Sequence, residues 1–84
     1  MTPCSLVRIS NFAFDPATLE VSRGAKVTWT NQDDQPHTVT STTKAFESSP
    51  LDTGDHFSFA FEKQGEYSYY CKIHPRMTGK VVVK

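Results

Sequence analysis

The sequence predicts an all-β chain folded as a β-sandwich, in one domain over residues 1–84. Apolar residues alternate with polar ones over short runs, the mark of half-buried strands. Turn-forming residues interrupt the runs about every 8–12 residues, the spacing of antiparallel sandwich strands. No window carries a helical apolar repeat of useful length.

Each run has its own inward parity. Val7 and Ile9 alternate with Arg8 and Ser10, and Leu19 and Val21 with Glu20 and Ser22. Val27 and Trp29 stand between Lys26, Thr28 and Thr30, while Phe57, Phe59 and Phe61 stand between His56, Ser58, Ala60 and Glu62. Tyr67, Tyr69 and Cys71 share one parity against Glu66, Ser68 and Tyr70, and Val81 and Val83 close the chain. Breakers fall between them at Asp15-Pro16, Arg23-Gly24, Asn31 to Pro36, Ser48 to Gly54 and Gln64-Gly65. The stretches Thr40 to Thr43 and Ser48 to Gly54 read as a long crossover between strands, pinned to the core by Phe46 and Leu51.

A chain of 84 residues buries only about two thirds of its unfolded surface, so its core must come from large side chains. Six Phe, three Tyr and Trp29 supply them. Nine basic and nine acidic residues cancel, which removes any whole-molecule field favouring nucleic acid or an anionic membrane. No apolar run approaches the roughly 20 residues of a membrane-spanning helix. The first residues lack the charged start and apolar stretch of a signal peptide, so the expectation is a mature chain without a leader.

Strand direction assigns each residue to an end of the sandwich. If His37 and Cys71 share the upper pole, the Arg23-Gly24 turn lies at the lower one, and the first strand ends at the top near Asn11 to Phe14. Cys4, at the start of that strand, is then about 20 Å from Cys71. A disulfide needs Cα atoms within about 7 Å, so a Cys4–Cys71 bridge is not expected and Cys71 stays free.

The chemistry concentrates in Cys71-Lys72-Ile73-His74-Pro75-Arg76-Met77, which sets a thiol, an imidazole and a thioether at three-residue steps after a strand. Taken alone, a buried Cys behaves as a small hydrophobe and a Met as core filler. Three features favour a metal site instead: the inward parity of Cys71, the turn that Pro75 encourages, and His37 behind Pro36 at the same pole. His37, Cys71, His74 and Met77 together are the ligand set of a blue-copper electron-transfer site. Zinc is the competing metal, but structural zinc favours more thiolates, and Met is a poor ligand for it. His56 has outward parity and reads as a solvated strand residue.

Nearly the whole chain resembles the cupredoxins, the blue-copper proteins, and within them the amicyanins and plastocyanins. The resemblance rests on Asn11-Phe12-Ala13-Phe14-Asp15-Pro16, Leu19-Glu20-Val21, Gly24, Val27-Thr28-Trp29-Thr30-Asn31, Pro36-His37-Thr38-Val39 and Gly65-Glu66-Tyr67-Ser68-Tyr69-Tyr70-Cys71. The C-x2-H-x2-M spacing, followed by Gly79-Lys80-Val81-Val82-Val83, is that of the amicyanins. The resemblance implies a Greek-key sandwich of about seven to eight strands. It implies one type 1 copper, with His37, Cys71 and His74 as equatorial ligands and Met77 as the long axial one. It further implies that the Thr38 N–H points at the Cys71 sulfur and that Asn31 ties the two ligand loops together. This chain lacks the amicyanins' extra N-terminal strand, Ile73 stands where proline is usual, and Cys4 has no counterpart.

With all four positions filled by protein, no open site remains for a substrate, unlike a catalytic metal centre. The expected function is therefore not enzymatic: a one-electron carrier cycling between Cu(II) and Cu(I), as a monomer. Its expected partners are redox proteins of cytochrome or dehydrogenase type, docking transiently at the His74 face. Pro36, Pro75, Phe12 and Phe14 are expected to form an apolar patch there, and small interfaces suit such encounters. The resemblance implies a periplasmic or thylakoid-lumen location. The alternative is a copper delivery or storage module using the same ligands. A fragment of a multicopper oxidase is disfavoured because such oxidases need histidine pairs, and this chain has three His in all.

Overall fold

A computed structural model describes residues 4–84, with the backbone alone at Cys4. Eight strands follow in order: β1 (Cys4–Ser10), β2 (Ala13–Asp15), β3 (Thr18–Val21), β4 (Ala25–Asn31), β5 (Thr40–Ser41), β6 (His56–Phe61), β7 (Gly65–Tyr70) and β8 (Thr78–Val83). Two four-stranded sheets face each other, ordered β2-β1-β4-β6 and β3-β8-β7-β5. The all-β sandwich expected from the alternation is the observed architecture. No helix among the described residues is long and apolar enough to cross a membrane.

Two pairings depart from the antiparallel expectation. β1 runs parallel to β4, and β3 runs parallel to β8. The chain leaves the first sheet after β2, adds β3 to the second, and returns as β4 beside β1. Two strands brought together by such a crossover point the same way. Alternation along a strand reports which side is buried, not which strand lies alongside, so this feature was not legible locally.

The inward parities are borne out. Val7, Ile9, Val21, Val27, Trp29, Phe61, Tyr69, Val81 and Val83 are buried, whereas His56 is exposed on β6. Trp29 forms the centre, with the rings of Phe46, Phe57, Phe61 and Tyr69 at 5.4–6.3 Å. Burying each such aromatic contributes roughly 1.5–3 kcal/mol, which is how so short a chain secures its core. Phe46 and Leu51 are buried and pin the crossover as expected, helped by backbone bridges His37–Leu51 and Thr40–Glu47.

The poles also fall as reasoned. Cys4 pairs with Lys26 at one end of β4, and Ile9 with Asn31 at the other. Cys71 is a free thiol at the Asn31 end; the side chain of Cys4 lies outside the described residues.

The turn between β1 and β2 has two central residues, Asn11 and Phe12, with φ of 52° and 56°. Two positive φ values in a two-residue hairpin loop are the type I′ geometry, matched to the strand twist. Asn tolerates the first position, but the second is ordinarily glycine's, and a bulky side chain there is an outlier. With Phe12 at the tip, β2 starts at Ala13, and Phe14 pairs with Ile9 facing inward. Phe14 is therefore core, packed edge-on against Tyr69 at 4.7 Å. Its expected place in a surface patch is corrected by that register.

Candidate metal centre

The upper pole gathers three donors from two loops. His37 follows β4 after a tight loop in which the Asn31 side chain donates to the carbonyls of Gln35 and Leu51, at 2.8 and 2.7 Å. Cys71 follows β7 with its side chain turned inward, and His74 and Met77 lie in the connection to β8. That connection is closed by its own backbone: Cys71 N–H donates to the Met77 carbonyl at 3.1 Å, and Met77 N–H to the His74 carbonyl at 2.9 Å. The two bonds curl seven residues around one point, so the three-residue spacing becomes convergence.

The Cys71 Sγ lies 3.6 Å from His37 Nδ1 and 3.9 Å from His74 Nδ1. All three donor atoms are within 4.8 Å of one another. Metal bonds of about 2.0 Å to nitrogen and 2.3 Å to sulfur, opening at tetrahedral to trigonal angles, place such donors about 3.3–3.7 Å apart, close to the two sulfur–nitrogen distances here. The spacing thus fits a single ion. Cys71 and His37 are wholly buried, and His74 is half-buried. Met77 is also buried, at the floor of an open surface groove of about 440 Å³ that it lines with Phe12, Ile73, His74, Pro75 and Arg76. One soft thiol and two imidazoles, with Met77 lining the same groove as His74, suit copper better than the hard cations.

Around the sulfur the hydrogen bonds are few. Thr38 N–H donates to Cys71 Sγ at 3.3 Å, as the resemblance implied. The Thr38 hydroxyl accepts the N–H of Lys72 at 2.8 Å. Thr38 therefore joins the two ligand loops. Asn31, to which that role was assigned, instead bonds only the His37 loop and the crossover at Leu51, and its Oδ1 accepts the N–H of Asp33 at 2.9 Å. Its three bonds are spent on that loop and on Leu51, and none reaches the Cys71–Met77 connection. Farther out, Lys72 and Glu47 form an exposed ion pair that contributes little.

Asp33 is the residue that sequence reasoning missed. Its Oδ2 lies 2.8 Å from His37 Nε2. A carboxylate only accepts, so the proton sits on Nε2 and the Nδ1 lone pair faces Cys71. Partial burial pushes the Asp33 carboxyl up, but hydrogen bonds from the Phe12 N–H, His37 and the Asn11 N–H outweigh it and hold it below the usual range. Metal-bound histidines commonly donate their second N–H to a carboxylate. An acid four residues before His37 was the available signal.

A cupredoxin-like domain family matches residues 2–83. Amicyanin-alpha of Methylorubrum extorquens is 35% identical over 83 residues, 93% of this chain and 70% of that protein. Amicyanin of Paracoccus denitrificans is 32% identical over 84 residues, 94% of this chain but 64% of that protein. Among solved structures, a purple cupredoxin from Nitrosopumilus maritimus superposes with a TM-score of 0.89 at 36% identity, covering 95% of this chain and 99% of its own. With the fold, the family match and the buried Cys71–His37–His74 cluster in agreement, the chain belongs to the cupredoxin-like family, and its cofactor is one type 1 copper.

Proposed function

We propose that this protein is a one-electron carrier, with His37, Cys71 and His74 as the close copper ligands and Met77 as the weak fourth. The observation that carries the reading is the convergence of one thiol and two imidazole nitrogens within 4.8 Å in a buried pocket. Bound there, copper supplies a Cu(II)/Cu(I) couple.

The chain's own residues explain why such a couple would be reversible. His37 is immobilised by Asp33 and Cys71 by Thr38, so the donors hold one arrangement in either charge state. Burial keeps water from entering as a further ligand. His74 alone comes near the surface, within an apolar rim of Phe12, Ile73 and Pro75 with Arg76 beside them. That rim suits brief docking of a redox protein of cytochrome or dehydrogenase type, with the electron passing the His74 imidazole edge. Small apolar contacts of this kind form and part quickly. On this reading the chain works as a monomer in a periplasmic or lumenal compartment.

Adding Cu(II) to the purified chain tests this directly. An intense visible thiolate-to-copper band that bleaches with a reductant and returns with an oxidant supports a carrier. A chain that holds Cu(I) tightly yet loses Cu(II) would instead be a delivery or storage module. Failure to hold copper in either oxidation state would refute both.

A further inference from the structure

The carboxylate that holds His37 also holds a second element. Asp33 Oδ1 accepts the N–H of Asn11 at 2.9 Å, and Oδ2 accepts the N–H of Phe12 at 2.9 Å beside the His37 bond. Its place is fixed from the other side, since its carbonyl accepts the Thr53 hydroxyl at 2.6 Å. These bonds fall on the two left-handed residues of the β1–β2 turn. Glycine would sit at position 12 without strain, whereas phenylalanine must be held there. The held ring meets both imidazoles edge-on, with centroids 5.5 Å from His37 and 5.1 Å from His74.

We propose that Asp33 is a positioning residue that locks the His37 imidazole and the Phe12 ring into one unit, making the β1–β2 turn a lid over the solvent side of the centre. One carboxylate fixes which nitrogen of His37 faces inward and where the ring closing over it lies. Loss of the carboxylate frees both at once; loss of the ring opens the same path. The lid does not require metal, so it can be tested apart from the copper reading, on which only the release measurement below rests.

In metal-free wild-type protein, NMR should show a slowly exchanging His37 Nε2 proton with a close contact to the Phe12 amide proton, because both point at the same oxygen. Its absence would overturn the proposal without any variant. In Asp33→Asn, the Asn11 and Phe12 amides should exchange about tenfold faster or more while those of Val27 and Trp29 keep their protection. Unchanged exchange at Asn11 and Phe12 would also overturn it. With Cu(I) loaded, capture by a soluble chelator should speed up about tenfold in Asp33→Asn and in Phe12→Ala. The double variant should be little faster than either single one. A double variant near the product, about a hundredfold, would show two independent effects and sink the coupling.

Discussion

Thr38 grips the chain around Cys71 twice, its N–H on the Cys71 sulfur at 3.3 Å and its hydroxyl on the N–H of the next residue at 2.8 Å. One residue of the His37 loop thereby sets both the sulfur's surroundings and the start of the Cys71–Met77 loop. Replacing Thr38 with valine keeps the shape and the N–H to sulfur but leaves the Lys72 N–H without its acceptor. The expected loss is about 1–2 kcal/mol in denaturant unfolding, with Thr38→Ser close to wild type. If valine and serine behaved alike, the hydroxyl would not be the link between the loops.

Cys71 and Met77 should differ in kind. Cys71→Ser removes the only thiolate of the cluster, so the intense visible band should vanish after Cu(II) is added. Met77→Leu keeps the thiolate and both imidazoles, so the colour should stay. Its reduction potential should rise, because removing a donor disfavours Cu(II) more than Cu(I). Voltammetry of the two variants decides the matter, and a colourless Met77→Leu would make the thioether indispensable.

Gly79 lies opposite Tyr69 in the β7–β8 ladder. A methyl group there would come within 2.5 Å of both the Cζ and the hydroxyl oxygen of Tyr69. That ring is trapped between Phe14 and Trp29, at 4.7 and 5.4 Å, and cannot swing away. Gly79→Ala should cost about 1–3 kcal/mol, and about 4–8 °C of melting temperature for each kcal/mol. Adding Tyr69→Phe removes only one of the three clashing atoms, leaving Cζ at 2.5 Å and Cε2 at 2.8 Å, so calorimetry should show partial recovery.

Tyr69 also sets an alkaline limit. Burial pushes its hydroxyl up from 10.0 to about 12, against a lowering by the nearby Trp29 indole. Neither the hydroxyl nor the indole N–H makes a hydrogen bond of normal geometry. A raised value in the folded state means that the folded chain keeps a proton which the unfolded chain releases. The associated stability is intact below pH 10 and is lost as pH climbs towards about 12. The decline amounts to about 2–3 kcal/mol at its end. Denaturant titrations across that window should show this slope in the wild type and its loss in Tyr69→Phe.

Much of this was legible in the chain itself. Alternation marks Trp29, Phe61, Tyr69 and Val81 as core because strand parity is a local property, repeated every two residues. The spacing of Cys71 and His74 needs only one loop to bring two donors together, and once His37 is placed at that pole, strand direction puts Cys4 at the other. Tertiary structure decided what lies beside what. The parallel pairing of β1 with β4 depends on a crossover between sheets, which parity does not record. Phe14 is core and Phe12 is the lid because a turn of only two residues set the hairpin register. Asp33 reaches Asn11 and Phe12 across more than 20 residues, and Thr38 reaches Cys71 across 33. A hydrogen bond over such a separation has no period and no motif; it exists because folding brings two loops to one end of the sandwich.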